Sequence, residues 1–196
     1  MRIYVVDDHP LMREAVVMLF RRIAPEATIV ELDRLAPLQA KVQEMGEPDL
    51  LCLDLKLPDT HGVSGVRETR AQFPKVPIVV LSASPASDFE ELSLDAGADL
   101  YLEKSSGATH LTQALRALVS TDSDLPDSKM LTNEKLSRRQ KELLKLLDRG
   151  LSNRDLAEQM DISEHTVKVH LWRLFRRIGV KNRSQAVHWA RSRGLI

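Results

Sequence analysis

Apolar positions in the first half of the chain fall into two alternating kinds of run. Short continuous runs occur at Ile3-Tyr4-Val5-Val6, Thr28-Ile29-Val30, Leu50-Leu51-Cys52-Leu53, Ile78-Val79-Val80-Leu81 and Leu100-Tyr101-Leu102. Most are continuously apolar rather than alternating, as parallel strands covered on both faces require. Between them, stretches with apolar residues at helical spacing run from Leu11 to Ile23, Leu35 to Met45, Gly65 to Gln72, Asp88 to Ala96 and Ala108 to Val119. Strand alternating with helix predicts an α/β doubly wound domain with a parallel five-stranded sheet over residues 1–119.

The pattern then stops. Residues 120–135 contain Ser-Thr-Asp-Ser-Asp-Leu-Pro-Asp-Ser-Lys, rich in turn formers and without an apolar period, and are expected to be a linker. No strand run returns after Leu136. Helical periodicity over 137–149, 153–160, 164–178 and 183–192 predicts a small all-α domain spanning 136–196.

Charge divides along the same boundary. The 28 basic and 28 acidic side chains of this 196-residue chain cancel, yet residues 1–121 hold 12 basic against 18 acidic and residues 136–196 hold 14 against 6. A basic small domain is the footprint expected of phosphate-backbone binding. The single cysteine, Cys52, excludes an internal disulfide framework and a cysteine-based zinc site, and its apolar neighbours mark a buried, inert thiol. No stretch approaches the roughly 20 apolar residues that span a bilayer, and Asp7-Asp8 interrupts the N-terminal apolar run. A reduced, soluble, cytoplasmic protein with no membrane partner is expected.

In an open α/β sheet, ligands bind beyond the carboxyl ends of the strands. There the sequence places Asp7 and Asp8 after the first strand, Asp54 after the third, Ser82 after the fourth, and Glu103 and Lys104 after the fifth. Three converging carboxylates call for a hard divalent cation, and Mg2+ keeps waters and shares its sphere with phosphate. A lysine ammonium and a serine hydroxyl suit phosphoryl oxygens, which leaves one aspartate as nucleophile for an acyl phosphate.

Asp7-Asp8, the segment Asp54-Leu55-Lys56-Leu57-Pro58-Asp59-Thr60-His61-Gly62, Leu81-Ser82-Ala83 and Gly97-Ala98-Asp99-Leu100-Tyr101-Leu102-Glu103-Lys104 together resemble the receiver domain of two-component response regulators. The resemblance implies Asp54 as phosphoacceptor. It further implies that Asp8, Asp54 and the backbone carbonyl of Lys56 hold Mg2+, with Asp7 acting through a water. Ser82 would hydrogen-bond the phosphoryl group, Lys104 would pair with it, and Tyr101 would swing inward as Ser82 moves. His9, with Pro10, is expected to open the first helix rather than touch phosphate. The Lys56 side chain fits a solvated lysine or one reaching over the phosphoryl group, and no mechanism attaches to His61. Met12 and Met18, spaced with Leu11, Val16 and Leu19, mark a packing or dimer face.

In the basic domain, a wheel of 100° per residue puts Val167, Leu171, Leu174, Phe175 and Ile178 on one side of the 164–178 helix. The opposite side presents His165, Val169, Trp172, Arg173 and Arg176. Arginines among apolar groups suit a major groove, where arginine reads guanine and apolar groups meet thymine methyls. Trp172 fits equally well under a loop or in a dimer contact. Asp161-Ile162-Ser163 forms a short turn into this helix with Ser163 as N-cap, at helix-turn-helix spacing. Ser137 and Gln140 form a capping box for the domain's first helix.

Leu136-Ser137, Gly150-Leu151-Ser152-Asn153, Leu156-Ala157, Ile162-Ser163, Thr166-Val167-Lys168-Val169-His170-Leu171 and Asn182-Arg183-Ser184-Gln185-Ala186 resemble the LuxR-type helix-turn-helix of the NarL/FixJ class. That resemblance implies Lys168 and Val169 facing bases, with Asn153, Thr166, Lys181 and Arg183 at backbone phosphates. Gln140 stands where glutamate is usual, and Trp172 where a polar residue is common, so base preference is not carried over. His170 suits packing better than a DNA contact.

The expected function is a DNA-binding response regulator. A sensor histidine kinase phosphorylates Asp54, and this changes dimerisation or domain arrangement and transcription, with a homodimer on double-stranded DNA. Beyond its own phosphotransfer and dephosphorylation it would be no enzyme. A phosphorylation-independent DNA-binding regulator is one alternative. A Mg2+-dependent aspartyl-phosphate phosphatase is another, and it would need an acid two residues beyond the nucleophile, where Lys56 stands.

Overall fold

A computed structural model of the chain describes residues 1–119 and 136–196, and the expected linker, 120–135, lies outside the described residues. The chain divides into two compact units, Met1–Arg116 and Ala117–Ile196.

The first unit is built on five strands, β1 (Arg2–Val6), β2 (Thr28–Leu32), β3 (Leu50–Leu53), β4 (Ile78–Ser82) and β5 (Leu100–Glu103). They form one sheet in the order β2-β1-β3-β4-β5, and every pairing is parallel. The helices between them are α1 (Pro10–Ile23), α2 (Leu38–Met45), α3 (Ser64–Gln72), α4 (Ala86–Asp95) and α5 (Ala108–Val119). The inner strands β3 and β4 are buried at every position, which is why their sequences do not alternate. Tyr4, Val6, Leu51, Leu53, Ile78, Val80 and Tyr101 join residues from the helices and loops, among them Leu38, Val66 and Ala96, in one apolar cluster. Cys52 is buried in β3, and burial pushes its thiol far above the usual range, so it is inert as expected.

Several boundaries differ from the sequence expectation. Helix α2 starts at Leu38 and not Leu35, because the Asp59 carboxylate accepts from the backbone N–H groups of Leu35 and Ala36 and holds that stretch as a turn. Ser82 and Glu103 belong to their strands, and their pairing extends the β4–β5 ladder to the sheet's end. Lys104 begins a 3-10 turn, Lys104–Ser106.

The second unit holds α6 (Arg138–Asp148), α7 (Asn153–Met160), α8 (Glu164–Ile178) and α9 (Arg183–Ser192). Leu143, Leu147, Leu156, Val167, Leu171 and Leu174 lie in its core. Ser137 caps α6 in a capping box with Gln140, and Ser163 caps α8, both as expected. A second capping box, Ser152 with Asp155, starts α7, and the hydrogen bonds from Ser152 hold the Asp155 carboxyl below its ordinary range. Helix α7 ends at Asp161, whose φ of 52° is left-handed, and the chain turns through Ile162 into α8.

Candidate phosphoacceptor pocket and nucleic-acid interface

Sheet register brings the acids together. Val6 pairs with Leu53 and with Leu32, and at this carboxyl end both ladders run one bond further: Asp54 N–H donates to Val6 O at 2.9 Å and Asp7 N–H to Leu32 O at 3.0 Å. Asp7 and Asp54 are therefore fixed at the same edge by their own backbones. Their side chains are 4% and 3% exposed, and that of Lys104 is 5% exposed. Lys104 Nζ stands 2.7 Å from Asp7 Oδ2 and 3.0 Å from Asp54 Oδ2. The Leu55 N–H donates to Asp54 Oδ1 at 2.8 Å. Burial pushes the Asp54 carboxyl above its ordinary range, against the opposing pull of Lys104. The pocket thus holds a carboxylate that is costly to ionise and is offset by one cation.

Asp8 sits at the mouth with its side chain one-third exposed, but its Oδ1 is buried and lacks a hydrogen-bond partner. Asp7, Asp8, His9 and Asp54 each place one ligand-type atom within 4.8 Å of the others. Beside them, a cleft of about 410 Å³ is lined by Asp8, Lys56, Leu57, Thr60, His61 and Phe89 among others. Lys56 is exposed on the loop after β3.

Ser82 is fully buried, and its Oγ accepts from Ser84 N–H at 3.2 Å. Tyr101 is 1% exposed, with its ring inward and its hydroxyl donating to Ser84 O at 2.8 Å, and burial raises its phenol above the usual range. Glu103 Oε1 accepts from Ala86 N–H at 2.5 Å, so two residues of β5 hold the loop between β4 and α4.

The sequence reading missed the Glu103 clasp and the place of His9. His9 is the residue before α1, but its ring is 64% exposed and Nδ1 lies 2.6 Å from Asp8 Oδ1. Its position directly after the acid pair was the available signal. Leu11 and Met18 are exposed on α1, at the face read as packing or dimer surface, whereas Val16 is buried.

On α8 the core side holds as expected, with Val167, Leu171 and Leu174 buried. The opposite side is less open than the wheel suggested. Arg176 is exposed, and His165, Lys168, Trp172 and Arg173 are half-buried. Val169, expected to be exposed, is fully buried although it is absent from the domain's apolar cluster. The wheel gives the angle of a side chain around the helix and not what covers it, and that is where the expectation failed. The Arg176 guanidinium lies over the Trp172 ring, 5.6 Å from its centroid.

The expected phosphate-contact residues are divided. Thr166 is buried, and both its N–H and its hydroxyl engage Ser163. Arg183 donates to Leu147 O at 3.0 Å, near the end of α6. Asn153 is the first residue of α7, and Lys181 is exposed before α9. Among the described residues no helix is long and apolar enough to cross a membrane.

A parallel sheet in this order with buried acids and a lysine at its carboxyl edge, in one chain with a helix-turn-helix, defines a response regulator. Residues 3–116 match the family described as response regulator receiver domain, and 134–190 match bacterial regulatory proteins of the luxR family. The glycerol metabolism activator of Pseudomonas putida and the nitrate/nitrite response regulator protein NarL of Escherichia coli are each 30% identical over 95% of this chain and 93% of their own length. Among solved structures, RcsB from Salmonella enterica serovar Typhimurium, bound to promoter rprA with a phosphomimetic, shares the fold at TM-score 0.54. It is 21% identical over 96% of this chain and 98% of its own. RcsB is also seen as two dimers on two parallel DNAs. The chain belongs to the response regulator receiver family and is a DNA-binding response regulator of the NarL type, a transcription regulator and not a conventional enzyme.

Proposed function

We propose that a sensor histidine kinase transfers a phosphoryl group to Asp54 and that this modification controls DNA binding by the helix-turn-helix. The supporting observation is the buried trio of Asp54, Asp7 and Lys104 at the sheet's edge. An Asp54 carboxylate oxygen attacks phosphorus, the phosphorus–nitrogen bond to the kinase histidine breaks, and the product is an acyl phosphate. Lys104 is close enough to pair with the added charge, and the Ser82 O–H, which engages the Tyr101 phenol, would turn to donate to a phosphoryl oxygen. Tyr101 is the switch residue, and its inward ring, tied to Ser84, couples the pocket to the start of α4.

The donors fit a hard divalent cation: oxygens from three carboxylates, one of them a buried Asp8 oxygen that makes no hydrogen bond. Asp7, Asp8, Asp54 and the carbonyl of Lys56 would hold Mg2+, which supplies charge neutralisation for the incoming phosphoryl group.

In this reading the chain works in the cytoplasm as receiver (1–119), linker (120–135) and DNA-binding domain (136–196), and it binds double-stranded DNA as a homodimer. Lys168, Val169, Trp172, Arg173, Arg176 and His165 face bases, while Asn153, Thr166, Lys181 and Arg183 serve the backbone. Base contact by Val169 requires its cover to be removed first, and phosphate contact by Arg183 requires it to leave Leu147 O.

The test compares wild type with Asp54→Ala after Mg2+ and acetyl phosphate, by intact mass and DNA affinity. The expected result is one added phosphoryl group and tighter DNA binding in wild type alone. Phosphorylation without a change in affinity, or DNA binding unaffected by a competent kinase, would instead favour phosphorylation-independent regulation.

A further inference from the structure

Among the side chains within 4 Å of the Asp54 carboxylate, the proposed pocket leaves the His9 ring without a role. His9 follows the acid pair, and its Nδ1 lies 2.6 Å from Asp8 Oδ1, 3.6 Å from Asp7 Oδ1 and 3.9 Å from Asp54 Oδ2. The other claims on these acids come from groups outside the imidazole ring. Lys104 takes Oδ2 of both Asp7 and Asp54, Leu55 N–H takes Asp54 Oδ1, and His9 N–H donates to Asp7 Oδ1 at 3.0 Å.

The approach to Asp8 is informative. At 2.6 Å a ring nitrogen facing an oxygen would ordinarily be a strong hydrogen bond, yet Asp8 Oδ1 has no hydrogen-bond partner. Two polar atoms that are close but not aimed at each other have the disposition of ligands aimed at a common point. Neighbouring ligands about 2.1 Å from an octahedral ion stand about 3 Å apart and opposite ones about 4.2 Å. The observed separations need only small adjustments to match. The backbone bond from His9 to Asp7 and the start of α1 at Pro10 hold the ring's attachment point in place.

We propose that His9 Nδ1 is a ligand of the receiver's divalent cation and shifts the site's preference from Mg2+ toward borderline ions such as Ni2+. This rests on the acid pocket described under Proposed function. Mg2+ favours oxygen and water, whereas imidazole nitrogen adds most to the later first-row metals. With only carboxylate and carbonyl donors the site would be nearly indifferent to that series beyond its common trend. With one imidazole it would discriminate.

The test uses the full chain, titrated calorimetrically with MgCl2, MnCl2 and NiCl2 as wild type, His9→Gln and Asp8→Asn. Pulsed electron paramagnetic resonance of the Mn2+-loaded protein accompanies it, with and without 15N-labelled histidine. The expected wild-type spectrum carries a histidine nitrogen coupling that changes with the isotope and is lost in His9→Gln. The ratio of Ni2+ to Mg2+ affinity should fall about tenfold or more in His9→Gln. Bound Mn2+ without histidine nitrogen coupling overturns the proposal. So does an equal rise in all three affinities in His9→Gln, which would mean that the ring only obstructs the site. If Asp8→Asn abolishes binding while His9→Gln changes nothing, the acid pocket stands and the role of His9 falls. If wild type binds none of the three, both fall.

Discussion

The acid pocket and the basic recognition helix carry charge in opposite ways. In the pocket, Asp7, Asp54 and Lys104 are nearly buried and their positions follow from backbone bonds at the ends of paired strands. On α8, exposed Arg176 and half-buried Lys168 and Arg173 ride on a helix surface whose cover varies from residue to residue. Strand register turns sequence position directly into spatial position. A helix turns it only into an angle. The pocket is therefore electrostatically tight and sensitive to single charges, whereas the interface is loose and additive.

The largest predicted effect breaks that tightness. Lys104→Met removes the lysine that contacts both Asp7 Oδ2 and Asp54 Oδ2, and leaves two buried carboxylates facing each other. Losing one partner of a buried pair costs about 3–5 kcal/mol. The receiver's thermal midpoint should fall accordingly, and millimolar Mg2+ should restore part of the loss. Leu174→Ala, in the helical core, should cost a comparable ~2–5 kcal/mol. No cation should recover that loss. Differential scanning calorimetry with and without Mg2+ separates the two.

A smaller effect concerns the interface. Arg176→Ala removes a guanidinium stacked over Trp172 and should weaken binding by about 1–3 kcal/mol while relaxing preference at one base position. Lys181→Ala should weaken binding equally for all sequences and lower the salt slope by about one. Site selection with randomised DNA, followed by titrations at several salt concentrations, checks both. If Arg176→Ala behaves like Lys181→Ala, the arginine serves the backbone.

These contrasts also account for what could be read from the residues alone. The five strands, the pocket acids and the caps Ser137 and Ser163 were legible because each depends on a local rule: continuous hydrophobicity, position after a strand, or an oxygen three residues before an N–H. The true start of α2 was not, because Asp59 reaches it from a loop 23 residues away in sequence. The Glu103 clasp on Ala86 spans 17 residues and was missed for the same reason. Val169 was misjudged because exposure belongs to the tertiary surroundings. His9 opens α1 with Pro10 as expected, and its ring faces the pocket acids as well, because opening a helix and facing the pocket are compatible for one residue.

Asp54 itself sharpens the comparison more gently. Its carboxyl is raised by burial, so ionised Asp54 lowers native stability at neutral pH. Because the folded pKa lies above the unfolded one, this penalty is absent below the unfolded value, near pH 4, and grows as pH rises through the folded value. Asp54→Asn should therefore raise the thermal midpoint by a few degrees at pH 7, and the gap should close on acidification. Thermal melts across pH in metal-free buffer measure it. An Asn variant less stable at every pH would mean that the pairing with Lys104 outweighs burial.

The smallest effect lies in the turn of the helix-turn-helix. Asp161 is, among the described residues, the one non-glycine at positive φ, and it ends α7 immediately before Ile162 and the α8 cap. A left-handed conformation costs an L-residue about 1–2 kcal/mol, less for aspartate, and glycine adopts it freely. Asp161→Gly should raise the stability of the helical domain by about 0.5 kcal/mol, net of glycine's greater freedom in the unfolded chain. DNA affinity should stay the same, because the turn sets the angle between α7 and α8 through its backbone alone. The pocket behaves differently, since there an unfavourable group is the reactive one and relieving it removes the chemistry. If Asp161→Gly instead stabilised the domain and weakened DNA binding, the turn's stiffness would itself hold α8 for recognition, and strain would serve function in both halves of the chain.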